Sequence, residues 1–109
     1  MTPPVKITIG EALQLLSSEA PTVLDARDME SYRAGHIEGA MLLHDELMET
    51  IVKRRQLDTP ILIYCFRGNI SMDKAQLFAA TGFRRVYSLA GGYVAWMKRR
   101  QESVAAPQG

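Results

Sequence analysis

The sequence predicts a three-layer α/β domain with a five-stranded, mostly parallel sheet and helices on both faces. Short apolar runs alternate with amphipathic segments along most of the chain, and no internal repeat interrupts them. Several runs lack apolar–polar alternation, which is typical of strands that helices cover on both sides. The 109 residues, 47% of them hydrophobic, suit one domain. We assign it to residues 5–101 and expect a flexible tail over 102–109.

Five apolar runs are predicted to be the strands of this sheet. They are Val5–Ile7, Thr22–Leu24, Ala40–Leu43, Ile61–Tyr64 and Val86–Leu89. Helical segments between them imply parallel pairing through right-handed crossovers. Ligands of such sheets bind beyond the carboxyl ends of the strands, so residues that follow a strand are the first candidates for a functional site.

Start and stop signals predict the first two helices. Thr8 and Glu11 have the spacing of a capping box, which predicts a helix from Ile9 to Ser17. Asp28 is a suitable cap for a short second helix, which Gly35 is expected to end.

Three more helices follow from periodicity and glycine. Asp45 is predicted to cap a third helix, whose buried stripe consists of Leu47, Met48, Ile51 and Val52. A fourth helix is expected to end at Gly82, with Phe83 packing back on it; its apolar side carries Ala75, Phe78 and Ala79. The last helix begins after Gly91-Gly92, with Tyr93, Trp96 and Met97 as its apolar face.

The composition argues against several functional classes. The formal charge of +1 gives no general attraction to nucleic acid or membrane surfaces. Lys53-Arg54-Arg55 and Lys98-Arg99-Arg100 are expected to lie at helix ends, where cations offset the helix dipole. Neither a signal peptide nor a membrane span is recognisable, so a cytoplasmic protein is expected. One cysteine and two histidines leave no expected disulfide, metal site or cofactor.

Cys65 is the only cysteine, and its position suggests a nucleophile. It follows a buried strand and precedes a polar turn that leads into a helix. Backbone N–H groups at such a turn favour the thiolate, and Gly68 allows tight curvature. The expected anion-binding nest, and hence the substrate-binding residues, are Phe66, Arg67, Gly68, Asn69, Ile70 and Ser71.

The rest of the loop limits the reactions that Cys65 can support. A cysteine phosphatase needs an arginine at the sixth position after the nucleophile, which here is Ser71. No second cysteine exists to resolve a disulfide. A one-cysteine mechanism remains, in which the sulfur accepts a group and passes it to an outside acceptor.

These segments resemble the rhodanese family. The similar motifs are Val23-Leu24-Asp25-Ala26-Arg27, Gly35-His36-Ile37, the loop Cys65-Phe66-Arg67-Gly68-Asn69-Ile70-Ser71, and Val86-Tyr87-Ser88-Leu89-Ala90-Gly91-Gly92 with Trp96. They run from about Ile7 to Met97 in the expected order. The length and the Cys-x-x-Gly-Asn-x-Ser loop are most similar to bacterial single-domain thiosulfate sulfurtransferases encoded with glycerol metabolism genes.

The resemblance implies a rhodanese-like domain that transfers sulfane sulfur. Cys65 would attack thiosulfate, release sulfite and hold a persulfide, which cyanide or a thiol then removes by double displacement. A small thiol or a protein thiol such as thioredoxin is the expected acceptor, and a monomer or homodimer the expected state. The alternative is a persulfide carrier or binding module that a protein partner loads at the same loop.

Other polar and aromatic residues are predicted to be mainly structural. Asp25 and Arg27 are expected to form a hydrogen-bonded pair, because burial of either alone is costly. His36 needs no role in proton transfer, and Trp96 is assigned to the core. Two questions stay open: whether Gly91 and Gly92 approach the pocket or only begin a helix, and whether the Ser71 hydroxyl donates to the persulfide.

Overall fold

The computed structural model describes the backbone of residues 1–105 and the side chains of residues 1–102. The strands are β1 (Val5–Ile7), β2 (Thr22–Asp25), β3 (Met41–Leu42), β4 (Ile61–Tyr64) and β5 (Val86–Leu89). The helices are α1 (Ile9–Ser18), α2 (Met29–Ala34), α3 (Asp45–Arg54), α4 (Asn69–Ala80) and α5 (Gly92–Ala105).

The five strands form one sheet in the order β1-β5-β4-β2-β3, and every neighbouring pair is parallel. The predicted α/β fold class is therefore confirmed. Strand β4 is central: Tyr64 pairs with Asp25 of β2, and Ile63 pairs with Ser88 of β5. The residue that follows β4 thus emerges between two neighbouring strands at the carboxyl edge of the sheet.

Two hydrophobic clusters cover the two faces of the sheet. Helices α1 and α5 supply Ala12, Leu15 and Trp96 to one cluster. Helix α4 supplies Ala75, Phe78 and Ala79 to the other, and the predicted stripe of α3 packs against it. Because both faces are covered, β4 is buried along its whole length. The core assignment of Trp96 is confirmed.

The predicted helix signals are present with one correction. Thr8 and Glu11 form both hydrogen bonds of the capping box of α1. Asp28 accepts a 2.8 Å bond from the Ser31 amide at the start of α2. The cap of α3, however, is His44, whose Nδ1 accepts from Leu47 N, and Asp45 is the first helical residue. A carboxylate in the first turn is favoured by the helix dipole, so Asp45 still stabilises this end.

Helix α4 ends as the glycine signal predicts. Gly82 has a φ of +108°, a conformation that side-chain-bearing residues rarely adopt. The chain then turns so that Phe83 is almost fully buried. Its ring meets that of Phe78 edge to face, with centroids 5.8 Å apart.

Strand β3 is shorter than predicted. Only Met41 and Leu42 belong to it, whereas a strand was expected over Ala40–Leu43. It is an edge strand that pairs with β2 alone. The Ala40 amide bonds to the Ile37 carbonyl at 2.9 Å, so Ala40 belongs to the preceding turn and not to the ladder.

Helix α5 departs most from prediction, because it continues to Ala105. No glycine or proline occurs between Gly92 and Pro107 to stop it. Residues 102–105 are therefore helical and not the expected tail, while 106–109 lie outside the described residues. The triplet at 98–100 falls within the helix and not at its end. Met97, expected on the buried face, is 36% exposed. Within the described residues no helix is long and apolar enough to span a membrane.

Candidate active site

The Cys65 sulfur lies at the carboxyl end of β4 and is surrounded by hydrogen-bond donors. Its Sγ accepts from Gly68 N at 3.1 Å and from Ser71 N at 3.4 Å, and it lies 3.4 Å from Ser71 Oγ. The residue is only 3% exposed. The thiol therefore does not point into the hydrocarbon core; it faces the amides of the loop and the first turn of α4.

The start of α5 holds this loop in place. Tyr93 N donates to the Cys65 carbonyl at 2.8 Å, and Val94 N donates to the Phe66 carbonyl at 3.1 Å. These two carbonyls satisfy the free amides at the helix start. The carbonyls of Cys65 and Phe66 thus bond to α5, whereas the amides of Gly68 and Ser71 donate to the sulfur.

The glycines before α5 approach the Cys65 loop closely. A Cβ on Gly92 would lie within about 2.5 Å of the carbonyl oxygens of Cys65 and Phe66, at 2.4 and 2.5 Å. Both Gly91 and Gly92 have positive φ, at +76° and +61°. The open question is resolved: these residues begin a helix and also bring it against the loop.

The hydrogen bonds decide the ionisation of Cys65. Burial by itself raises the pKa of the thiol, since a buried anion is poorly solvated. The Ser71 hydroxyl and the amides of Ser71, Gly68 and Arg67 stabilise the thiolate and outweigh burial, so the pKa of Cys65 is lowered from its ordinary value. Such a thiol is more reactive than an unperturbed cysteine.

A cavity of about 340 Å³ opens in front of Cys65. Four of the six predicted loop residues line it, namely Phe66, Arg67, Asn69 and Ile70, and all four are exposed. The other two, Gly68 and Ser71, are buried and contact the sulfur from below. Ala26, Arg27 and Asp28, which follow β2 in the chain, complete the wall. The pocket has an open mouth and a sulfur near its base.

Asp25 and Arg27 form the structural pair that was predicted. Arg27 Nη2 lies 2.7 Å from Asp25 Oδ2 and also donates to the Gly35 carbonyl, and both side chains are almost fully buried. Tyr64 donates to the same carboxylate at 2.7 Å. Burial and this bond raise the pKa of Tyr64 well above its ordinary value, so it stays a neutral donor. These hydrogen bonds connect β2, β4 and Gly35, the residue that follows α2.

His36 lies outside the pocket. It is exposed, its ring stacks on Tyr32 with centroids 3.9 Å apart, and Nδ1 lies 2.8 Å from the Tyr32 carbonyl. These contacts fit the structural role assigned to it. Among the residues that the structure describes, no three histidine, cysteine or carboxylate side chains group in a way that could hold a metal ion.

Sequence reasoning missed Ser88, which contacts Ser71 beside the sulfur. Its Oγ lies 2.7 Å from Ser71 Oγ, and both side chains are inaccessible to solvent. Nothing local distinguishes Ser88 from other polar residues in strands. The only available signal was a serine in a strand that is covered on both faces. A buried hydroxyl needs a hydrogen-bond partner, so such a serine indicates a polar contact inside the fold.

Comparison with known proteins agrees with the motifs. The family model for the rhodanese-like domain matches residues 8–99. The chain belongs to the rhodanese-like domain family. It is 37% identical over 98 residues to thiosulfate sulfurtransferase GlpE of Pseudoalteromonas translucida (strain TAC 125), covering 90% of this chain and 93% of the relative.

Solved rhodanese-like structures have the same fold. The human single-domain sulfurtransferase TSTD1 superimposes with a TM-score of 0.75 at 21% identity, over 86% of this chain and 96% of that one. The rhodanese-like domain of the Anabaena protein Alr3790, solved by NMR, gives a TM-score of 0.75 at 28% identity, over 91% and 76% of the two chains. The shared fold therefore extends over 86–91% of this chain.

The lowered pKa of Cys65 gives a first testable expectation. Iodoacetamide alkylates thiolates, so the rate should follow the ionised fraction and reach half of its maximum below the pH of about 8.5 that marks a free thiol. Rates measured by intact mass between pH 5 and 10 report it. Protein unfolded in urea is the control, and its profile should match free cysteine. If the folded protein shows the same midpoint, the loop amides do not stabilise the thiolate.

Proposed function

We propose that this protein is a thiosulfate sulfurtransferase that works through a Cys65 persulfide. The Cys65 thiolate attacks the outer sulfur of thiosulfate, a sulfur–sulfur bond forms, and sulfite leaves with the electron pair of the broken bond. Cyanide or a thiolate then attacks the outer sulfur of the persulfide and returns Cys65 to the thiolate. The name of the GlpE relative supports thiosulfate as the donor.

The observation that carries this proposal is the set of donors around Sγ. Two amides and one hydroxyl lie within 3.4 Å of the sulfur. They stabilise the thiolate before the reaction, and the persulfide, which is also an anion, is expected to keep donors from the same loop. The attacking thiolate and the leaving sulfite are both anions, so neither half-reaction needs a general acid or base. This fits the position of His36 away from the pocket.

The exposed side of the loop is assigned to the substrate. Thiosulfate carries two negative charges, and the pocket wall contains the guanidinium of Arg67 at the open mouth. Arginine presents several donors in one plane, which suits the oxygens of a sulfonate-like group. We assign Arg67 to attraction of the anion, and Phe66, Asn69 and Ile70 to the shape of the pocket.

Intact mass spectrometry tests the proposal directly. Protein incubated with thiosulfate should gain the mass of one sulfur atom and lose it again on addition of cyanide. Because Cys65 is the only cysteine, protein alkylated beforehand is a matched control and should gain nothing. A protein that stays at its original mass under these conditions is not a thiosulfate sulfurtransferase.

A persulfide carrier loaded by a protein partner is the second candidate. The observation in its favour is the apolar rim of the pocket, where Phe66 is 45% and Ile70 55% exposed, as a protein-binding surface would require. Multiple turnovers with thiosulfate and cyanide alone would exclude the need for a partner. Loading by a protein persulfide, with none by thiosulfate, would support the carrier.

Replacement of Arg67 by alanine should weaken reaction with thiosulfate. We expect the thiosulfate concentration for half-maximal rate to rise about fivefold with little change in the maximal rate, the magnitude of an exposed charge interaction. Stability should be unchanged, because the side chain is exposed. Arg54→Ala removes the same charge from the end of α3 and should leave the kinetics unaltered. Equal kinetics for both variants would show that Arg67 does not contribute to thiosulfate binding.

A further inference from the structure

Ser88 contacts Ser71, a neighbour of the Cys65 sulfur, and has no assigned role. It is on β5, level with Ile63 of the neighbouring strand β4, and its side chain is fully buried. Within the described residues its Oγ has one hydrogen-bond partner, Ser71 Oγ at 2.7 Å. Ser71 Oγ in turn lies 3.4 Å from Cys65 Sγ. Ser88 on β5, Ser71 on α4 and Cys65 after β4 are thus connected by a series of hydrogen bonds that ends at the sulfur.

The direction of the protons along this series of hydrogen bonds depends on the charge of the sulfur. A thiolate cannot donate, so Ser71 must point its proton at Sγ. Ser71 Oγ then accepts the proton of Ser88, and every hydroxyl in the series has a partner. If instead a neutral thiol donates to Ser71, then Ser71 donates to Ser88. The Ser88 proton is left without an acceptor among the described residues, in a fully buried position. The complete set of bonds therefore belongs to the anion.

We propose that Ser88 is a positioning residue that directs the hydroxyl of Ser71 toward the sulfur of Cys65. Without it, the Ser71 side chain is free to occupy its other staggered rotamers, of which only some contact Sγ. A hydroxyl that accepts a hydrogen bond is also a stronger donor, so Ser88 strengthens the bond from Ser71 to the thiolate. This inference rests on the proposed role of Cys65 as a nucleophile.

The charged groups of the pocket lie outside this series of hydrogen bonds. The charged side chains that line the pocket in front of the sulfur are Arg27, Asp28 and Arg67. In the described part of the chain, the hydrogen bonds of these side chains go to neither Ser71 nor Ser88. A change confined to the buried serines therefore leaves these charges in place, and its effect on the thiol can be assigned to the hydroxyl groups.

The pH profile of Cys65 alkylation in Ser88→Ala tests the proposal. Alanine fits the same space and removes only the hydroxyl, so the fold should persist. We expect the midpoint of the profile to move upward by about half a pH unit, the size of a lost hydrogen-bond contribution to one ionisation state. Ser88→Thr keeps the hydroxyl and should keep the wild-type midpoint. A stabilising osmolyte restores the fold for the measurement if the alanine variant is marginal.

Two controls separate positioning from plain stability. Thr81→Val removes another hydroxyl, which bonds to the Phe78 carbonyl at the far end of α4, and should leave the midpoint unchanged. In a Ser71→Ala background, Ser88→Ala should have no further effect, because Ser88 acts through Ser71. An unchanged midpoint in Ser88→Ala, or the same shift in both backgrounds, overturns the proposal. Alkylation needs no sulfur donor, so failure here is distinct from failure of the proposed function.

Discussion

Replacement of Cys65 by serine should abolish sulfur transfer while leaving the fold intact. A serine hydroxyl stays protonated near neutral pH even where the loop amides lower the pKa of a thiol, so it cannot attack thiosulfate at a useful rate. We expect the steady-state rate with thiosulfate and cyanide to fall by at least about a thousandfold. Cyanide-dependent thiocyanate production measures it. No other cysteine can substitute for Cys65, since none exists in the chain.

The stability of the same variant is the necessary control. Serine is smaller than cysteine and its oxygen can accept from the same donors, so the free energy of unfolding should change by no more than about 1 kcal/mol. Urea denaturation measures that change. A folded Cys65→Ser protein that still transfers sulfur would show that another group carries the sulfur.

Gly92→Ala should disrupt the site from a neighbouring element. The added Cβ would meet the carbonyl oxygens of Cys65 and Phe66 at 2.4 and 2.5 Å, and these backbone atoms cannot rotate away. Either α5 or the loop must move, and the hydrogen bond from Tyr93 N to the Cys65 carbonyl is lost or lengthened. A displacement of this kind near a reacting atom costs about a hundredfold in rate. We also expect a loss of about 2 kcal/mol in the free energy of unfolding.

Gly39→Ala is a matched control for this prediction. Gly39 also has a positive φ, at +85°, but a Cβ there would meet no atom within 4 Å. It should therefore show only the conformational cost of about 1 kcal/mol, with full sulfur transfer. If the two variants lose activity equally, the close approach of α5 does not hold the loop, and the backbone conformation of glycine alone explains the effect.

The sequence predicted the elements that depend on local signals. The capping box at Thr8, the cap at Asp28 and the turn at Gly82 all have the predicted form. Each works through atoms within a few residues, so its outcome can be inferred from the residues alone. The buried strand before Cys65 was also recognisable, because an uninterrupted apolar run bounded by a proline and a polar turn fits few alternatives.

Errors arose where the outcome depends on the rest of the fold. The expected tail at 102–109 rested on composition, yet residues 102–105 continue a helix that began ten residues earlier in a packed environment. Met97 was placed on the buried face by spacing, but the sheet covers only the side of α5 that carries Trp96. In both cases tertiary packing, which the local pattern does not contain, decided the result.

The candidate site was predicted in part. The amides around Cys65 followed from its place between a strand and a helix, and the structure brings Gly68 and Ser71 to the sulfur as expected. Ser88 was not foreseen, and the close contact of Gly92 was one of two alternatives that the sequence left open. They reach the loop from β5 and from the start of α5, some twenty residues further along the chain. A contact between distant segments cannot be derived from the local spacing of either one.

The order of the elements along the chain has a consequence during synthesis. Strand β1 finds its partner only when β5 has been made, and the loop carbonyls of Cys65 and Phe66 find theirs only with the start of α5. A nascent chain that has passed Cys65 but not Tyr93 cannot yet assemble the surroundings that ionise the thiol. Until the start of α5 has been made, we therefore expect Cys65 of the nascent chain to react no faster than an ordinary cysteine.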